Sequence, residues 1–145
     1  QLGRPFVGPA GAVLNEALLE ADVDRSSVYL TNVVKHFKFI QRGKRRLHQK
    51  PGAREIAACD AWLDAELKLV QPAVLVCLGA TAAQAIIGRD FRITQGRGAF
   101  VATAACDATI ATYHPSAVLR AYDADARQRT REALVEDLRL AARQL

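Results

Sequence analysis

Apolar residues recur along this chain with two different periods, and the periods alternate. Val13, Leu14, Ala17, Leu18 and Ala21 repeat at helical spacing behind a Gly- and Pro-rich loop from Gly3 to Gly11. Val28-Tyr29-Leu30-Thr31-Asn32-Val33-Val34 is β-branched and aromatic, the composition of a buried strand. Ile56, Cys59, Trp62, Leu63, Leu67 and Val70 mark the inner stripe of a long helix that Pro72 stops. Val74-Leu75-Val76-Cys77-Leu78-Gly79 reads as a second buried strand, followed by an alanine-rich helix to about Ile87. Residues 91–102 predict a short hairpin, and Ala108 to Tyr113 a further strand that ends at His114-Pro115-Ser116. A last helix runs from about Asp123, with Leu134, Leu138, Ala141 and Leu145 on its buried side. Strands alternating with helices predict an α/β fold with a parallel sheet under helices. No repeat, low-complexity tract or linker interrupts residues 1–145, which read as one domain.

Composition narrows the class. Half of the 145 residues are apolar and 24% are charged, as in an ordinary globular domain with a real core. No apolar run approaches the roughly 20 residues that cross a bilayer, and no secretory apolar region is present. Three cysteines without tight pairing argue against a disulfide scaffold and for a reducing cytoplasm. The chain lacks methionine and opens on Gln1, so a processed chain or a fragment is expected.

The net charge of +5 favours an anionic partner, and the excess is concentrated. No acidic residue occurs from Arg25 through Arg54. Within that stretch Lys44, Arg45, Arg46 and Lys50 surround His48 between two breakers, Gly43 and Pro51, which predicts a loop. A solvated basic loop with an incidental histidine is one reading. A loop that holds a polyanion around a neutral imidazole is the other, since neighbouring cations disfavour an imidazolium.

In a parallel sheet, ligands bind beyond the carboxyl ends of the strands. Asn32 lies near one such end and His114 just past another. Asparagine offers a donor and an acceptor to a flat heterocyclic amide edge, and histidine can donate to a carbonyl gaining negative charge. A strand-end turn for Asn32 and a capping role for His114 are the plainer alternatives.

The order of four segments decides between these readings. Gly3-Arg4-Pro5-Phe6-Val7-Gly8-Pro9-Ala10-Gly11, Tyr29-Leu30-Thr31-Asn32-Val33-Val34-Lys35, Leu78-Gly79-Ala80-Thr81-Ala82 and His114-Pro115-Ser116-Ala117-Val118-Leu119-Arg120 occur in this order. This arrangement resembles the family 4 uracil-DNA glycosylases over nearly the whole chain. Lys44-Arg45-Arg46-Leu47-His48 resembles the insertion of the UdgX branch, which usually has isoleucine where Leu47 stands. The resemblance implies a three-layer αβα sandwich with a mainly parallel central sheet. It implies excision of uracil from single-stranded or duplex DNA by a monomer, with covalent attachment to the resulting abasic site through His48. Phe6 is expected to stack on the flipped uracil, Asn32 to read its edge, and His114 to donate to its carbonyl. Lys44, Arg45, Arg46, Lys50, Ser116 and Arg120 are expected to contact DNA, with residues 116–120 entering the duplex as the base leaves.

The same resemblance implies a 4Fe–4S cluster with His36 and Cys59 as two ligands and two more upstream of Gln1. Cys77, in an apolar strand, reads as a core thiol, and Cys106 matches no position of the family. The family keeps a strand and a catalytic loop with a carboxylate ahead of the first residues seen here, so a sheet lacking its first strand is expected. Two other functions stay open at this point. One is a family 4 glycosylase that turns over normally, with His48 only touching DNA. The other is an inactive basic fragment that binds nucleic acid through salt-sensitive contacts.

Overall fold

The computed structural model describes residues 5–33, 39–42, 45–48 and 52–145, with backbone alone at 39–42 and 45–48. Helix α1 (Pro9–Glu20) begins directly after Gly8, with proline in the first turn where its missing N–H costs nothing. Its buried positions, Gly11, Leu14, Ala17 and Leu18, trace one helical face. Helix α6 (Ala124–Ala142) starts at Asp123, whose carboxylate accepts from the Ala126 N–H at 2.6 Å. It buries Leu134, Val135, Leu138 and Ala141. The expected inner position Leu145 lies past the helix end and is exposed.

These two helices pack together on one face of a three-stranded sheet in the order β3 (Leu75–Leu78), β5 (Thr109–Thr112), β4 (Phe100–Val101). β3 and β5 are parallel, with Leu75 opposite Thr109 and Leu78 opposite Thr112. β4 pairs antiparallel with β5, so the described sheet is mixed rather than mainly parallel. Alternation along β3 sorts the core. Val76 and Leu78 pack on the cluster formed by α1, α6 and Val118 of α5 (Pro115–Leu119). Cys77 and Ala111 face the opposite layer, where α3 (Ala80–Ile86) and α4 (Ile93–Gly96) supply Ala83, Ile86 and Ile93. Helices therefore cover both faces, which is the three-layer α/β arrangement that the sequence implies.

Helix α2 (Ala53–Val70) buries Cys59 and Leu63, with Ile56 and Leu67 half-buried on the same seam. Trp62 is 69% exposed and Val70 is exposed as well, which corrects the six-residue stripe. The spacing 56, 59, 63, 67 already completes one face, and Trp62 stands one position off it.

Three other segments differ from expectation. Residues 28–33 form no strand: Val28 and Leu30 pack on the helical core, Tyr29 is exposed, and no described segment pairs with them. Val34 lies outside the described residues. Residues 91–102 hold the single turn α4 and then β4, which pairs with the next strand instead of closing its own hairpin. The basic stretch expected to be a loop contains a strand. β2 (Arg45–His48) pairs antiparallel with β1 (Phe39–Arg42), leaving Gly43 and Lys44 between them, a connection of hairpin length. No described helix is long and apolar enough to cross a membrane.

Candidate functional site

The parallel strands β3 and β5 end side by side, and the segments leaving them meet. The Gly79 N–H donates to the Thr112 carbonyl at 2.9 Å, carrying the ladder one step beyond β3. Gly79 has φ +89°, a conformation that costs glycine little, and a Cβ there would stand 2.8 Å from the His114 Cβ. His114 thus occupies its place because position 79 has no side chain. Gly79→Ala is expected to displace His114 and to cost about 1–3 kcal/mol in chemical denaturation. Unchanged stability would mean that the two strand ends separate without strain.

His114 caps α5. Its Nδ1 accepts the Ser116 N–H at 3.0 Å, and Ser116 Oγ lies 2.7 Å from the same nitrogen. Arg120, one turn on, donates from Nη1 to Ser116 Oγ at 2.7 Å. The backbone donor occupies the Nδ1 lone pair, so the proton of the neutral ring belongs on Nε2. The capping role weighed for His114 is therefore real. It is compatible with a chemical one, because the cap fixes which nitrogen carries the donor.

Phe6 reaches the same place from the loop before α1. Its ring centroid is 5.6 Å from that of His114, with 31° between the planes, and it also packs on the core. Its backbone has φ 57°, uncommon for a bulky residue. Its carbonyl lies directly over Gly11, where a Cβ would stand 1.7 Å from the oxygen. A glycine in the first turns of α1 thus permits the close approach that places Phe6.

Behind the strand end lies a polar network without a signature in the motifs. Asp137 of α6 is 1% exposed. It accepts from Arg97 Nε at 2.9 Å and Nη2 at 3.1 Å, and from the Thr112 hydroxyl at 2.6 Å. The Arg97 guanidinium also lies 5.5 Å from the centre of the Tyr113 ring, next to His114 in sequence. The signal that marks it is positional: Asp137 falls on the apolar side of α6, between Leu134 and Ala141, where an unpaired carboxylate is not tolerated.

The other expected site residues belong to other segments. Asn32 is half-buried beyond Leu30 and is engaged in an interaction of its own. In the paired strands β1 and β2, His48 stands opposite Phe39, Arg46 opposite Gln41 and Arg45 opposite Arg42. Three residue steps, about 10 Å of strand, separate the His48 backbone from that of Arg45. Lys44, Lys50 and His36 lie outside the described residues.

Cys59 is buried in α2 and takes part in an interaction. Burial pushes the Cys77 thiol up to about 12, in keeping with a core thiol. Cys106 lies in hydrogen-bonding range of the Pro72 carbonyl at 3.3 Å, tying its loop to the start of β3. Among the described residues no three His, Cys, Asp or Glu side chains gather as metal ligands. The described residues do not form a cluster site by themselves.

The family model of the uracil DNA glycosylase superfamily matches residues 1–139. A type-4 uracil-DNA glycosylase of Thermotoga maritima is 39% identical over 119 residues, which are 81% of this chain and 58% of that protein. One of Pyrobaculum aerophilum is 35% identical over 131 residues, 83% of this chain and 61% of its own. A third, of Archaeoglobus fulgidus, is 35% identical over 132 residues, with 81% and 59% covered. The chain spans about three-fifths of the length of these curated relatives.

Proposed function

The chain belongs to the uracil-DNA glycosylase superfamily, and from that premise we propose that it excises uracil from DNA and is then captured by the abasic site through His48. The observation that carries the first half is the pair of rings at the strand end. An aromatic face, Phe6, lies beside a histidine whose cap leaves its proton on Nε2. A flipped base needs such a face in place of its lost stacking. A uracil carbonyl that gains charge as the glycosidic bond breaks needs such a donor. Asn32 reads the uracil edge in this scheme.

The reaction balances without a further reagent. The C1′–N1 bond breaks with its electron pair leaving on uracil, and His114 donates a hydrogen bond to the carbonyl that gains charge. An imidazole nitrogen of His48 then bonds to C1′, and the proton it loses ends on uracil. Lys44, Arg45, Arg46, Lys50, Ser116 and Arg120 hold the DNA, single-stranded or duplex. The test is release of free uracil from an oligonucleotide carrying one uracil, using residues 1–145 and the protein at the length of its relatives. No uracil released by either would refute the reading.

The naming of the relatives as type-4 uracil-DNA glycosylases favours a second reading, in which the enzyme turns over and His48 touches only DNA. Many uracils released per protein molecule would establish it.

A 4Fe–4S cluster belongs to this proposal as a structural group, with His36 and Cys59 among its ligands and the others outside the described residues. Four ligands are normally needed. Protein at the length of its relatives, purified without air, is expected to contain iron, and Cys59→Ala to lose it. An iron-free wild type would remove the cluster.

A further inference from the structure

We propose that Ser116 and Arg120 are positioning residues for His114: a guanidinium and a hydroxyl, acting in series, keep the proton of the neutral imidazole on Nε2. The inference rests on the reading of His114 as the donor to uracil. It goes beyond the DNA contacts proposed for the two residues.

The chemistry of each group sets the direction of its hydrogen bond. A guanidinium has donors and no acceptor, so the 2.7 Å contact from Arg120 Nη1 must be accepted by Ser116 Oγ. With one lone pair so used, the hydroxyl proton is left to point at Nδ1, also 2.7 Å away. The Ser116 N–H reaches that nitrogen at 3.0 Å. Two donors therefore converge on Nδ1. A proton on Nδ1 would meet the backbone N–H head-on. It would also force Oγ to accept twice and turn its own proton away.

Arg120 does more than fill a lone pair. A hydrogen bond from a charged donor polarises the hydroxyl and strengthens its own donation to the ring. Without Arg120 the hydroxyl is a rotor that serves either tautomer. The arrangement is local and cheap to build, since residues four apart meet on one helical turn. Phe6, before α1, and Gly79, after β3, bring no charge to the ring, and the charge facing it from α5 is that of Arg120.

The experiment tracks the ring nitrogens of His114 by two-bond ¹H–¹⁵N correlation through a pH titration, on protein without DNA. Wild type is expected to show the Nε2–H pattern. In Ser116→Ala and Arg120→Gln the ring should take its second proton at a higher pH, because Nδ1 has lost a donor or its polarising charge. Ser116→Thr keeps a hydroxyl and should match wild type. A role confined to holding DNA predicts the wild-type titration in Ser116→Ala, with only the loss of a nearby charge read in Arg120→Gln, and an unchanged Ser116→Ala overturns the proposal, as does an Nδ1–H pattern in wild type. With uracil-DNA, Ser116→Ala should slow single-turnover excision about fivefold, the effect of roughly one hydrogen bond. A wild type that releases no uracil yet titrates as expected removes the glycosylase reading and leaves the relay in place.

Discussion

Replacing His48 by alanine is expected to abolish every protein–DNA species that survives boiling in detergent. Wild-type protein mixed with single-stranded DNA carrying one uracil should form such a species, and DNA with thymine at that position should not. Cleavage leaves an oxocarbenium-like sugar that accepts any well-placed nucleophile. A side chain held beside it competes through an effective concentration that reaches the order of 10⁵ M or more in well-oriented systems. Alanine removes the nucleophile and keeps the hairpin backbone, so water gains access to C1′ and ordinary turnover should emerge. The cations should behave differently. Arg45→Gln beside the hairpin turn should weaken binding and lower its salt dependence by about one contact, with the attachment at saturating DNA retained. Cross-linking of His48→Ala at the wild-type rate would place the nucleophile elsewhere.

The largest effect on stability is expected from Asp137→Ala. Its carboxylate is buried and takes three hydrogen bonds, two from Arg97 and one from Thr112. Truncation leaves a guanidinium only 26% exposed with the Ala133 carbonyl at 3.4 Å and the Glu136 carboxylate at 3.9 Å as its remaining partners, and a buried hydroxyl without its acceptor. Breaking a buried pair in this way costs about 3–5 kcal/mol, which lowers the thermal midpoint by roughly 10–20 °C in a chain of this size. Asp137→Asn keeps the shape and one acceptor and should cost less. A midpoint within a few degrees of wild type for Asp137→Ala would show that Arg97 finds another partner.

Much of this architecture is legible in the sequence because it is local. The periodicity of Leu14, Ala17 and Leu18, and of Leu134, Leu138 and Ala141, reports which helical faces are buried. The runs at Leu75–Leu78 and Thr109–Thr112 report strands covered on both sides. What misleads depends on partners far away in the chain. Val28 to Val33 has strand composition, but Val28 and Leu30 pack on the helical layer. In the basic stretch the cations and breakers obscure a register, so residues 45–48 read as a loop although Leu47 and Ile40 pair across a hairpin. Trp62 reads as core because of its chemistry, while the seam of α2 is complete without it.

The candidate site divides in the same way. Phe6, His114, Ser116 and Arg120 are recognisable from the order of short motifs, and the structure brings these four together. What holds them is not recognisable from motifs. Gly79 under His114 and Gly11 under Phe6 matter through close approaches between distant segments. Arg97 and Asp137, forty residues apart, meet only when α6 crosses the sheet.

The most direct test of the account is the intact mass of the product formed by the protein, at the length of its relatives, with a single-stranded oligonucleotide containing one uracil. Capture through His48 predicts the combined mass of protein and oligonucleotide less one molecule of uracil, with the attachment mapped by digestion to the peptide containing His48. Unmodified protein beside an abasic oligonucleotide would contradict the covalent step, and unmodified protein beside an intact oligonucleotide would contradict the glycosylase itself.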